Sequence, residues 1–138
     1  MKNTDTEHKY TILAVDDSEF AIATLTRILR YPYSIITATS GKDAIKKAVE
    51  HKPDLILLDV LMPGLTGIET CMMLKKTIET QNIPVVFITS MYDAACDETC
   101  LAAGAVDYVR KPYTAGVILK RIENALRSFK GQGISISN

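Results

Sequence analysis

The sequence predicts an α/β domain: a parallel sheet with helices on both faces. Five short apolar runs alternate with five segments of helical period, a strand-then-helix order repeated along the chain. The runs are almost continuously apolar, as strands covered on both faces are, rather than alternating apolar and polar. Hydrophobic residues make up 47% of 138 residues, enough for the core of one domain of ordinary size. Strands that each lead into a helix pair in parallel, with the helices crossing both faces of the sheet.

Taken in order, Thr11–Val15 is the first buried strand. Ser18 offers an N-cap, and Ile22, Leu25 and Leu29 recur at helical spacing until Tyr31-Pro32-Tyr33 stops the helix. Ser34–Ala38 is a weaker strand near an edge. Ser40 with Asp43 forms a variant of the capping box, followed by the apolar stripe Ala44, Ile45, Ala48 and Val49. Pro53 restarts the chain into a strand ending at Asp59. Met62-Pro63-Gly64 and Gly67 are turn chemistry, and a third helix is expected over about Ile68 to Ile78. Pro84 opens the strand through Ile88, where a missing N–H does least harm. A helix over about Ala94 to Ala103 ends at Gly104 in its C′ position. Val106–Val109 is the last strand. Thr114 caps a last helix with Ile118, Ile122, Ala125 and Phe129 on one face, and Gly131-Gln132-Gly133 ends it. We expect residues 1–9 to be a disordered extension, 10–129 the domain, and 130–138 a flexible tail or the start of a linker.

Composition excludes several classes. Lys plus Arg and Asp plus Glu are both 16, so the net charge is zero and no basic surplus favours nucleic acid. The longest apolar run, Ile83–Ile88, has six residues, far below the roughly 20 of a membrane span. The polar segment Met1–Lys9 lacks the apolar stretch of a secretory signal, so a cytoplasmic location is expected. Cys71, Cys96 and Cys100 are an odd number, which argues against a disulfide framework. Cys96 and Cys100 share a helix face at a spacing of four, and with no further ligand nearby they read as small apolar residues.

The chemistry sits where the runs end. Asp16-Asp17 follows the first run, Asp59 the third, Thr89-Ser90 the fourth and Lys111-Pro112 the fifth. In an open α/β sheet the carboxyl ends of the strands form the site. Three carboxylates, an ammonium and a hydroxyl would then share one edge. Adjacent carboxylates repel without a cation, and a hard divalent ion such as Mg2+ takes oxygen ligands while keeping several waters. Asp59 can complete that site, and a carboxylate beside the ion can also act as a nucleophile toward phosphorus. Lys111 and Thr89 would contact phosphoryl oxygens, because phosphoryl transfer needs mostly positioning and charge neutralisation.

Val15-Asp16-Asp17, Leu58-Asp59-Val60-Leu61-Met62-Pro63-Gly64, Ile88-Thr89-Ser90, Gly104–Tyr108 and Lys111-Pro112 closely resemble the receiver domain of bacterial two-component response regulators, over about Tyr10 to Phe129. The resemblance implies a flavodoxin-like (βα)5 fold with strand order 2-1-3-4-5. It implies that Asp59 accepts a phosphoryl group from a sensor histidine kinase or a histidine phosphotransfer protein. Asp17, Asp59 and the Leu61 backbone carbonyl would ligate Mg2+, with Asp16 acting mainly through metal-bound water. Lys111, Thr89 and the backbone N–H groups of Val60 and Ser90 would contact the phosphoryl group. Thr89 and Tyr108 would form a switch, Tyr108 turning inward as Thr89 moves. The usual contact face, including Tyr108, Arg110 and Lys120, would serve a downstream protein, a fused output domain or a homodimer. Neither nucleic acid nor membrane is implied as a direct partner. The domain would be a phospho-acceptor with Mg2+-dependent self-phosphorylation and self-dephosphorylation rather than an enzyme. Leu61 and Met91 would flank the attacking water, and neither has a charged group to orient it.

Rival readings fit less well. A Mg2+-dependent phosphohydrolase of the haloacid-dehalogenase type needs Asp-x-Asp after the first strand, where Asp16-Asp17-Ser18-Glu19 stands. A flavin phosphate needs Ser, Thr or Gly donors in that loop. A constitutive, unphosphorylated interaction domain of this kind usually lacks an acidic or lysine site residue, and here none is missing. The sequence leaves open a stand-alone regulator or the receiver portion of a longer protein.

Overall fold

The structure, a computed structural model, describes residues 9–90 and 94–137; of the expected N-terminal extension only Lys9 falls within it, and Met91 and Asn138 lie outside it. Strands β1 (Thr11–Val15), β2 (Ser34–Ala38), β3 (Leu55–Asp59), β4 (Val85–Thr89) and β5 (Asp107–Arg110) alternate with helices α1 (Glu19–Leu29), α2 (Gly41–His51), α3 (Gly67–Lys76), α4 (Ala94–Ala102) and α5 (Ala115–Ser137). The sheet has order β2-β1-β3-β4-β5 and every pairing is parallel. The expected fold and strand order are those observed.

The two-residue period of the strands divides the core. Leu13, Val15, Ile56, Leu58, Val85 and Phe87 pack on one face with Ala44, Ala48, Cys71, Leu74 and Cys100. Ile12, Ala14, Leu55, Leu57, Val86 and Ile88 pack on the other with Leu25, Leu29, Ile118 and Ile122. β1, β3 and β4 are thus covered on both sides, each buried leucine or isoleucine contributing about 1.5–3 kcal/mol. Cys71 and Cys100 are buried within this core, and burial pushes the Cys71 thiol up to about 11. No helix among the described residues is long and apolar enough to cross a membrane.

Caps fix the helix starts. Ala21 N–H donates to Ser18 Oγ at 3.2 Å, and Asp43 N–H to Ser40 Oγ at 3.1 Å. α3 begins one residue earlier than the sequence suggests, because Thr66 and Glu69 form a full capping box: Glu69 N–H donates to Thr66 Oγ1 and Thr66 N–H to Glu69 Oε1. It ends at Lys76, short of Ile78, because a side chain beyond the helix takes the Leu74 carbonyl and one from its last turn ties down the segment that follows. Buried Thr80 donates to Leu74 O at 2.7 Å, and Lys75 Nζ to Ile83 O at 2.6 Å. α5 continues through Gly131 and Gly133 to Ser137, so the segment expected as a tail is helical to that residue. Glycine weakens a helix by about 1 kcal/mol relative to alanine but keeps its N–H, so it does not force a stop as proline does.

Gly67 is the point where α3 meets the end of β3. Its N–H donates to Val60 O at 2.9 Å. A Cβ there would run into Asp59 O and lie 2.7 Å from Val60 Cα, both backbone atoms that cannot swing aside. Gly67→Ala is therefore expected to destabilise the fold by about 1–3 kcal/mol. Urea denaturation measures this, and a midpoint equal to that of the wild type would show that the 59–67 turn relaxes freely.

Candidate functional site

Asp16, Asp17, Asp59, Thr89, Ser90 and Lys111 are brought to one edge of the sheet by the strand ends that carry them. The ladder continues past β1, with Asp16 N–H donating to Ala38 O at 3.2 Å. Asp59 lies opposite Ile88, one residue before Thr89. Lys111 N–H donates to Thr89 O at 2.8 Å, so the backbone of the lysine hangs directly from the end of β4.

One carboxylate oxygen from each of Asp16, Asp17 and Asp59 can be chosen so that all lie within 4.8 Å of one another. Asp16 and Asp59 are 2% and 5% exposed, whereas Asp17 is open to solvent. Lys111 Nζ lies 3.1 Å from Asp16 Oδ2 and 3.4 Å from Asp59 Oδ1. The other oxygen of Asp16 accepts the Ser18 N–H at 3.0 Å and so turns the chain into α1. Asp16 is thus held through both oxygens, and of the three carboxylates only that of Asp17 is open to solvent.

Electrostatics follow from this crowding. Burial, then the charge of Asp16, push Asp59 up to about 6; Lys111 opposes the shift and Asp17 adds to it. Burial alone would lower Lys111, but its hydrogen bonds and charge contacts with Asp16 and Asp59 together outweigh this and raise it. Three carboxylates against this ammonium leave an excess of negative charge. An all-oxygen, closely spaced donor set of that charge fits a hard dication such as Mg2+.

The remaining expected residues are placed as follows. Thr89 is fully buried at the end of β4, and Ser90 is exposed just beyond it. Leu61 is 53% exposed beside the Asp59 strand end. The Val60 N–H donates to Ile88 O at 3.2 Å, the β3–β4 ladder running one residue past the strand. That donor is engaged, and would have to leave Ile88 to reach a phosphoryl oxygen. Tyr108, on β5, is half-buried against the core, with the Arg110 guanidinium 5.5 Å from its ring centroid. Met91 is outside the described residues. Reading the sequence assigned Gly67 to a turn and missed its contact with the acceptor strand; the Thr66-x-x-Glu69 capping signal could have placed it at a helix start.

A family profile described as the response regulator receiver domain matches residues 12–123. The alkaline phosphatase synthesis transcriptional regulatory protein PhoP of Bacillus subtilis is 38% identical over 117 residues, covering 84% of this chain and 48% of that protein. Protein PilH of Pseudomonas aeruginosa is 35% identical over 116 residues, covering 83% of this chain and 96% of that protein. The solved structure of Vibrio cholerae chemotaxis protein CheY4 superposes with a TM-score of 0.81 at 27% identity, covering 84% of this chain and 98% of that one. The chain spans less than half the length of the first curated relatives it matches.

The raised Asp59 carboxyl gives a pH signature. Below about 3.8 the group is protonated in both folded and unfolded chains; the folded chain keeps its proton up to about 6. The stabilisation is therefore whole below the lower value and is lost as pH rises through the upper one, amounting to at most ~3 kcal/mol. Urea denaturation of metal-free protein should show stability falling across this window relative to Asp59→Asn. Parallel curves for the two proteins would overturn the assignment.

Proposed function

The chain belongs to the response regulator receiver domain family, and from that premise we propose that Asp59 is the phospho-acceptor of a Mg2+-dependent switch. The observation that carries this reading is Lys111 Nζ bridging Asp16 and Asp59 beside three converging carboxylates. Receiver domains of two-component systems take a phosphoryl group rather than turn over a substrate. An Asp59 carboxylate oxygen attacks the phosphorus of a phosphohistidine on a sensor kinase or phosphotransfer protein. A P–O bond forms, the P–N bond breaks, and the imidazole nitrogen leaves with the electron pair. Magnesium, held by Asp17, Asp59 and the Leu61 carbonyl, would supply charge neutralisation at the phosphoryl oxygens.

The residues of the chain do the rest. Lys111 keeps its ammonium between Asp16 and Asp59 and moves its contact to the phosphoryl oxygens as they arrive. Thr89 offers a hydroxyl from the neighbouring strand end, and the Ser90 N–H lies one residue beyond it. When Thr89 moves toward the phosphoryl group, Tyr108 turns inward and alters the face made by α4, β5 and α5. That face, with Arg110 and Lys120, meets a downstream protein, an output domain or a second copy of the chain. We place this activity in the cytoplasm, where phosphohistidine donors of this kind act. Self-dephosphorylation is slow in this reading, because neither Leu61 nor Met91 carries a charged group that could orient water toward the acyl phosphate.

Acetyl phosphate with Mg2+ should phosphorylate the wild type, and Asp59→Ala or removal of the metal with EDTA should abolish incorporation. Intact-mass spectrometry reads this directly, and a phosphoryl group retained in Asp59→Ala would assign the acceptor elsewhere. In a separate phosphate-release assay the double variant Leu61→Asn, Met91→Glu should lose phosphate faster than the wild type. Equal or slower release would refute the role given to those two side chains.

A further inference from the structure

Tyr108 lies on β5, an outer strand of the sheet. Such a strand turns alternate backbone N–H and C=O groups away from its neighbour. At Tyr108 both groups are taken by side chains. The N–H donates to Asp107 Oδ1 at 2.8 Å. The carbonyl accepts from Arg121 Nη1 at 3.0 Å. The same Nη1 donates to the same Asp107 Oδ1 at 2.8 Å, so the three bonds close a ring around one residue of backbone. All three include a charged partner, which makes them the stronger class of hydrogen bond.

The base of this ring is firm. Arg121 belongs to α5, and its neighbours Ile118 and Ile122 are fully buried under the sheet. The guanidinium therefore ties an anchored helix to a strand 13 residues earlier in the chain. The aromatic ring of Tyr108 is held separately, by Arg110, two residues on along the same face of the strand.

We propose that Arg121 is a positioning residue of the switch: with Asp107 it pins the Tyr108 backbone to α5, so that the aromatic ring alone turns and the balance of its two positions is set. This rests on the reading of Tyr108 as the switch residue. A side chain rotates cleanly only about a fixed pivot. With both polar groups of residue 108 held, a movement of Thr89 is answered by rotation of the ring. With the clamp removed, the outer strand yields instead, and the movement is absorbed in the backbone before it reaches the α4–β5–α5 face. The Asp107 and Arg121 side chains are partly exposed, at 30% and 43%, so the pair can be altered without opening the core.

The test uses the full chain labelled with 3-fluorotyrosine, the Tyr108 resonance being assigned with Tyr108→Phe. Spectra are recorded with Mg2+, before and after beryllofluoride, a phosphoryl mimic, together with amide hydrogen exchange. The wild type should show a displaced Tyr108 resonance and a protected Tyr108 amide. Arg121→Gln should exchange the Tyr108 amide roughly tenfold faster or more, leave Val86 unchanged, and lose at least half of the displacement. Arg121→Lys, which restores a charged donor, should recover most of it. Asp107→Ala removes the other member of the ring and is judged by the same measures should Arg121→Gln not fold. A full displacement in Arg121→Gln overturns the clamp and leaves the switch reading standing. No displacement in the wild type overturns the switch reading, and the clamp with it.

Discussion

Three carboxylates from two strand ends converge at one edge of the sheet, and the fold has to hold them together against their own repulsion. At about 4.8 Å, two unit charges interact by about 3–4 kcal/mol at an effective dielectric near 20. Set against a whole-domain stability of about 5–15 kcal/mol, that is a large local strain. Lys111 offsets part of it by touching two of the three, and Asp59 relieves more by keeping its proton up to about 6. The site is therefore poised: anything that adds positive charge there, or exchanges a proton for a better-stabilised group, finds a favourable change waiting. A receiver needs that property, since its input is one phosphoryl group arriving with a cation.

Holding such a cluster demands a rigid frame, and the frame comes from backbone bonds rather than from the side chains themselves. Asp16 is fixed through its own backbone to β2 and through Oδ1 to the first turn of α1. Lys111 hangs by its backbone N–H from Thr89 O, which ties the residue to the end of β4. Asp59 and Val60 are backed by Gly67, whose missing side chain lets α3 press directly on their backbone. Behind these loops lie β1, β3 and β4, whose side chains are almost wholly buried, so displacement at the edge is resisted by close packing.

The sequence made the carboxyl edge legible because each reactive group directly follows an apolar run, and parallel pairing sends every such end to one side. Strand order and the gathering of Asp16, Asp17, Asp59 and Lys111 therefore agree with expectation. What was hidden depends on contacts remote in the chain. The end of α3 is set by Thr80 and Lys75 reaching carbonyls that no local periodicity announces. The reach of α5 past Gly131 defeats a rule that treats glycine as a stop. The bond from the Val60 N–H to Ile88 O joins residues 28 apart in the chain and appears only once β3 and β4 pair. Arg121 carries no motif at all; its role is visible only once α5 lies beside β5.

The two outer strands are covered differently, and the residue proposed as the switch lies on β5. Both edges need their outward backbone groups covered, and each is covered from a helix. On β2, Lys47 donates to Thr37 O at 2.7 Å and is steadied by Asp43 at 3.2 Å. On β5 the covering pair surrounds Tyr108, three residues before Lys111 and beside the strand that ends in Thr89. In the proposed switch, a change at the site reaches β5 through two routes, the Lys111 backbone bond and the Thr89 side chain. Both routes lead to Tyr108, whose backbone is tied to α5 through Arg121. With that backbone fixed, rotation of the Tyr108 ring is the coordinate on which the proposed phosphoryl signal acts.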